Sequence, residues 1–181
     1  MLDYSDPTRA VNYRDVGLFL NLIAAKQVLP ERRLLRGGTL QHIHDLSVVG
    51  SPATIVCLKN GPGRHTEGAT LLHYPRPNTI ECYETAKPES RVWLRKIIAG
   101  LADSATKLPI YVHCHSGRDR TGVVVAALLT IIGLSHDLIT EEYMLSEDAA
   151  SHKIAECLAG LANDRYFPER HARAIRALLL N

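Results

Sequence analysis

The run Thr121-Gly-Val-Val-Val-Ala-Ala-Leu-Leu-Thr-Ile-Ile132, closed by Gly133, constrains the fold more than any other stretch. It is apolar nearly all round, so as a helix it has no face to give to water. The glycine ends it. Extended to Leu134 the run is 14 residues long, against the roughly 20 that span a bilayer. Such a helix belongs at the centre of a domain, covered on all sides. Just before it, Leu108-Pro-Ile-Tyr-Val-His113 is short and rich in β-branched and aromatic residues, which reads as a strand.

The same reading extends along the chain. Ala53–Leu58 follows Pro52, Ala69–Tyr74 follows Gly68 and stops at Pro75, and Arg33–Arg36 ends at Gly37-Gly38. These runs lack strict alternation, as strands buried on both faces do. Helices are expected over 88–101, with Val92, Trp93, Ile97, Ile98 and Leu101 at helical spacing, and over 136–147, where Ser135 can cap the start. Two more, over 151–161 and 168–180, give a helical C-terminal third. Apart from Arg33–Arg36, the first 50 residues are harder to read. The expectation is a single α/β domain over 1–181, with a central, mostly parallel sheet of four to five strands and helices packed on both faces.

Composition excludes several classes. Hydrophobic residues make up 46% and charged residues 22% of the 181, so the chain is neither disordered nor a disulfide-stapled miniature. A net charge of +2 gives no argument for nucleic acid. Cys57, Cys82, Cys114 and Cys157 are far apart and form no C-x-x-C, so neither a metal site nor a disulfide framework is expected. The N-terminus shows no basic segment followed by an apolar one, and a cytoplasmic setting is the expectation.

One segment carries chemistry: Tyr111-Val-His-Cys-His-Ser-Gly-Arg-Asp-Arg-Thr-Gly122. It joins the strand ending at His113 to the N-terminus of the buried helix. First-turn N–H groups and the helix dipole favour an anion at such a junction. Gly117 permits a tight turn. Arg120 closes the loop six positions after Cys114, and its planar guanidinium can grip two phosphate oxygens. A cysteine in that field ionises readily and becomes a nucleophile toward phosphorus. Cys-x5-Arg alone would occur by chance in about a third of chains of this composition. With the preceding His, the inner Gly and the closing Thr-Gly, the odds fall to about 10⁻⁵.

His113-Cys-His-Ser-Gly-Arg-Asp-Arg-Thr-Gly122 resembles the phosphate-binding loop of the cysteine-dependent protein-tyrosine phosphatase superfamily, in particular its compact atypical and dual-specificity-like branch. Asn12-Tyr-Arg-Asp-Val-Gly17, Leu34-Leu-Arg-Gly-Gly-Thr-Leu40 and Tyr143-Met-Leu-Ser146 are similar to further segments of that branch. The usual loop lysine is Arg118 here, and no Trp-Pro-Asp occurs. The resemblance implies Cys114 as nucleophile and Arg120 as phosphate clamp. His115, Ser116, Gly117, Arg118 and Thr121 would line the phosphate, with the Thr121 hydroxyl turned to the cysteine sulfur. His113 would tune the thiolate. Relatives carry a second cysteine in segments like Val56-Cys-Leu58, which implies a protective role for Cys57. No cofactor is implied.

The acid that protonates the leaving oxygen has three candidates: Asp119, the one carboxylate inside the loop, then Glu81 and Glu84 on the segment before helix 88–101; Asn78 cannot serve. The substrate is a phosphorylated protein, or a phosphoinositide or inositol phosphate. Cationic Arg118, Arg64, Arg76 and Lys59 near the loop favour the second. A phosphate-binding module without turnover is a third reading. Arg14-Asp15 reads as a structural ion pair.

Overall fold

The computed structural model describes residues 2–61, 68–163 and 165–181. Among these, five strands form one sheet: β1 (Arg14–Asp15), β2 (Leu34–Gly37), β3 (Thr54–Cys57), β4 (Thr70–His73) and β5 (Ile110–His113), in the order β1-β2-β5-β3-β4. β2, β5, β3 and β4 run parallel, and only β1 is antiparallel. β2, β3 and β5 are buried along their whole length. That explains why they read as continuous apolar runs.

Six α-helices accompany the sheet among the described residues: α1 (Val16–Ala24), α2 (Pro88–Leu101), α3 (Asp119–Ile131), α4 (His136–Met144), α5 (Ser151–Leu161) and α6 (Glu169–Leu180). Pro88 sits at the first position of α2, where its missing N–H costs nothing. The Ser135 hydroxyl caps α4. Asp15 caps α1 by accepting from the N–H groups of Gly17 and Leu18. α3 is the expected central helix: nearly every residue in it is buried, and it touches all five other helices' common core.

The helices are distributed unevenly. Buried residues of all six belong to one core with Leu34, Val56, Ile110 and Val112 of the sheet. On the opposite face Leu35, Ile55 and Tyr111 pack against Ala10, Leu40, Ile43 and Val49. The helix on that side is a single 3₁₀ turn, Leu46–Val49. Covering on both faces therefore holds, but one face carries α-helices and the other a 3₁₀ turn and N-terminal chain. Strands β2, β5, β3 and β4 all finish at the same level, with Gly37, His113, Cys57 and His73 in register. Loops leaving that edge lie side by side, as they do at the carboxyl edge of open parallel sheets.

Candidate active site

At that edge β5 delivers His113, the chain turns through residues 114–118, and α3 begins at Asp119. Every carbonyl of the turn is tied down. The His113 ring bonds the Cys114 oxygen, the Thr39 N–H the His115 oxygen, the Asn12 side-chain amide the Ser116 oxygen, and Arg36 Nη2 the Gly117 oxygen. The Gly122 N–H takes the Arg118 oxygen at 2.7 Å. None of these bonds uses an N–H group of the loop. With the carbonyls taken by these partners, the loop's amides are left to an anion at the N-terminus of a 13-residue helix. Gly117 is required twice over. Its φ is +71°, and a Cβ would sit 2.6 Å from the Gly37 carbonyl oxygen.

Beneath the loop lies a buried ionic cluster. Arg36 Nη1 donates to Glu142 Oε2 at 2.6 Å, and Arg14 Nε donates to Glu142 Oε1 at 2.8 Å. Both arginines also donate to the Ser146 hydroxyl. Burial, and then the neighbouring Arg36, bring the Arg14 guanidinium down to about 10, so it still carries its proton at neutral pH. Two cations against one carboxylate leave a net positive charge under the anion-facing amides. Arg14 thus pairs with Glu142 and not with Asp15, whose second oxygen accepts from the Arg32 N–H.

Cys114 is buried at the base of the loop, with its thiol free. Arg120 is 5% exposed. Its Nη1 donates to the carbonyls of Leu58 and Arg76, which braces it, while its buried Nε has no partner among the described residues. The Thr121 hydroxyl is likewise buried and unpartnered, and makes no hydrogen bond to the Cys114 sulfur. His113 reaches the Cys114 carbonyl and not its sulfur. His115 is exposed at the mouth, stacked on Tyr4 at 4.5 Å between ring centroids.

Asp119 is 6% exposed and engaged at both oxygens. Oδ1 accepts from the Tyr83 hydroxyl at 2.8 Å. Oδ2 accepts from Arg118 Nε and Nη2 at 3.1 and 3.0 Å. Burial pushes this carboxyl up, but the bonds from Arg118 and Tyr83 outweigh it and hold it below the ordinary carboxylate value. Arg118 also reaches Asp148 at the rim.

The other acid candidates lie apart from this arrangement. Glu81 is exposed and takes the Thr79 hydroxyl, and Glu84 pairs with Lys87 at 2.7 Å. Of the expected cations, Lys59 is held beside the loop by the Thr39 hydroxyl. Arg76 turns its guanidinium onto the Trp93 ring and the Ser90 hydroxyl, so only its carbonyl serves the loop. Arg64 lies outside the described residues. Sequence reasoning missed Lys153, whose ammonium sits 3.9 Å from Asp119 Oδ1. Lys153, Arg118, Asp119, Tyr83, Asn78 and Thr79 line a cleft of about 150 Å³ beside the loop. Among the described residues no three His, Cys, Asp or Glu side chains group closely enough to hold a metal ion.

Residues 63–179, which contain the whole loop and its helix, match the Tyrosine phosphatase family. The chain belongs to that family. Over 41 residues this family member is 46% identical to the triple specificity protein phosphatase PtpB of Mycobacterium tuberculosis, a match covering 23% of this chain and 15% of that protein's length. Two solved structures share its fold. The catalytic core of the PP-IP phosphatase SIW14 from S. cerevisiae has a TM-score of 0.51 at 17% identity, over 70% of this chain and 81% of that one. P. aeruginosa TpbA has 0.54 at 16% identity, over 81% and 85%.

Proposed function

We propose that this chain is a single-domain phosphomonoesterase that works through a phosphocysteine intermediate on phosphotyrosine or phosphoserine/threonine in proteins. The observation that carries this reading is the loop itself: carbonyls taken by Thr39, Asn12 and Arg36, the free Cys114 thiol at its base, and the unpartnered Nε of Arg120. Cys114 attacks phosphorus as the ester P–O bond breaks. Arg120 and the amides hold the equatorial oxygens while charge redistributes. Asp119 gives its proton to the leaving oxygen, then takes one from the water that displaces the sulfur. In the free protein Arg118 occupies Asp119 Oδ2. A phosphoryl group in the loop competes for Arg118 and frees that oxygen for a proton. Thr121 has a spare hydroxyl for the departing sulfur.

A second reading takes a phosphoinositide or inositol phosphate as substrate. It is favoured by Lys59, Arg118 and Lys153 around the loop, and by the relatives named as triple-specificity and PP-IP phosphatases. Binding without turnover is favoured by the ionised Asp119 alone. No helix among the described residues is long and apolar enough to cross a membrane, and all four thiols are free, which suits a reducing cytoplasm.

A panel of phosphopeptides, phosphoinositides and inositol phosphates, run beside Cys114→Ser, separates these readings. Phosphopeptide hydrolysis is expected. Cys114→Ser should lose turnover by several decades yet still bind inorganic phosphate, because Arg120 and the amides remain. Turnover above about 1% in the variant would remove Cys114 as nucleophile. Hydrolysis confined to inositol substrates would install the second reading, and phosphate binding with no hydrolysis the third.

A further inference from the structure

The segment that carries the second-choice acids Glu81 and Glu84 delivers a phenol to Asp119 instead. We propose that Tyr83, backed by Tyr143, is a positioning residue for Asp119: its hydroxyl pins Oδ1 and thereby makes Oδ2 the oxygen that carries the transferable proton. The inference rests on Asp119 as the acid of the proposed reaction.

Hydrogen-bond directions along the chain of groups follow from chemistry. A carboxylate only accepts, so Tyr83 donates its proton to Asp119 Oδ1 at 2.8 Å. The bond between the Tyr83 and Tyr143 oxygens, 2.6 Å long, must then be donated by Tyr143. The sequence runs Tyr143 hydroxyl, Tyr83 hydroxyl, Asp119, and both donors point toward the carboxylate. To place a proton on Oδ1, Tyr83 would have to turn its hydroxyl from Asp119 to Tyr143, and the Tyr143 hydroxyl would lose its acceptor. A proton on Oδ2 requires only that Arg118 move, and Arg118 is the half-buried, rim-side partner with an alternative anion in Asp148.

Both phenols are fixed. Tyr83 and Tyr143 are fully buried, and their rings meet edge-on with centroids 6.2 Å apart. Burial holds both hydroxyls above the ordinary tyrosine value, Tyr83 well above it, so they remain donors throughout the working pH range. The charged and titratable groups around Asp119 come from each neighbouring element: Arg118, Cys114 and Arg120 from the loop, Cys82 and Tyr83 from the preceding segment, Tyr143 from α4 and Lys153 from α5. Of these, only Tyr83 and Arg118 hydrogen-bond the carboxyl. Removing the Tyr83 hydroxyl leaves the carboxyl free to rotate and takes away one bond that favours its ionised form.

The test compares an alkyl phosphate, whose leaving oxygen needs a proton, with 4-nitrophenyl phosphate, whose leaving group does not. Asp119→Asn first asks whether the acid is assigned correctly, since it should slow only the alkyl ester. If it slows neither or both alike, the acid assignment fails, and the inference goes with it. If it behaves as expected, Tyr83→Phe should lower the alkyl ester's kcat about tenfold relative to 4-nitrophenyl phosphate, with KM unchanged. The limb of the pH profile set by Asp119 should move to higher pH. Tyr143→Phe should act in the same direction more weakly, and reports independently should Tyr83→Phe fold poorly. In the Asp119→Asn background Tyr83→Phe should have no further effect, because its partner is gone. An unchanged rate ratio in both tyrosine variants, or a loss that multiplies with that of Asp119→Asn, overturns the proposal.

Discussion

His113 shows how burial chooses a residue's role. It is enclosed under the loop and stacked on Tyr111, and burial, first among its surroundings, pulls its imidazole from 6.5 down to about 4. The ring is therefore neutral at physiological pH. Because its partner is a carbonyl, Nδ1 carries the hydrogen. Its contribution is orientation of the loop's first carbonyl, with no added charge at the thiol. The linkage has a definite sign. Between pH 6.5 and about 4 the unfolded chain binds a proton here that the folded chain does not, so stability falls as pH falls through that window. The integrated effect is about 3 kcal/mol. Asp119, held below the usual carboxylate range, adds the same sign at more acid pH. Denaturant titrations across this window should show His113→Gln losing most of the slope. A slope equal to that of the unaltered protein would mean that His113 is protonated in the fold.

Elements were legible where burial is uniform along them. The four parallel strands, α2, α3 and α5 fall within a residue or two of the apolar patterns that announced them. α1 escaped because Leu18, Phe19 and Leu22 are exposed, which blurs its stripe, and because its cap Asp15 reads equally well as a partner for Arg14. β1 is two residues long and exists only through its register with β2. α4 ends at Met144, ahead of the expected 147, and the chain beyond it turns the Ser146 hydroxyl to Arg14 and Arg36. The strand register also places Cys57 directly beside His113, one residue from Cys114. With neighbouring strands about 4.8 Å apart and a rise of about 3.3 Å per residue, the two cysteine Cα atoms stand roughly 6 Å apart, within the range a disulfide spans. Burial raises the Cys57 thiol, so it stays protonated and unreactive until a neighbour is oxidised. Peroxide should convert Cys114 to a sulfenic acid, which Cys57 then captures with loss of water. After reductant the unaltered protein should recover most of its activity and show a Cys57–Cys114 crosslink by mass spectrometry, whereas Cys57→Ser should not recover. Equal recovery of both proteins would leave Cys57 as a small core residue.

Across the whole molecule, three segments far apart in the chain meet under one loop: Asn12 and Arg14, Arg36, and Glu142 with Ser146. Cys114 and Arg120 could be read from spacing because the loop is contiguous. Glu142 could not, because its partners lie 128 and 106 residues away and nothing local marks a buried carboxylate on α4. The resemblance of those segments to family members marked them as related without saying what they do; the structure makes them the footing that turns the loop's carbonyls outward. Arg36 and Glu142 are 0% and 1% exposed, which makes their separation costly. Glu142→Gln would leave two buried guanidinium groups without a counter-charge, a loss of about 3–5 kcal/mol. The surface pair Arg9–Asp6 provides the contrast, since Asp6→Asn should leave stability nearly unchanged. Where Glu142→Gln is too unstable to measure, Ser146→Ala removes a shared acceptor of both arginines and should cost about 1–3 kcal/mol. Either variant should also weaken inorganic phosphate binding, because Arg36 holds the Gly117 carbonyl away from the anion. Denaturant unfolding together with phosphate calorimetry reads both effects. A stable Glu142→Gln, or a destabilised one that binds phosphate as tightly as before, would show that the loop holds its shape without this cluster.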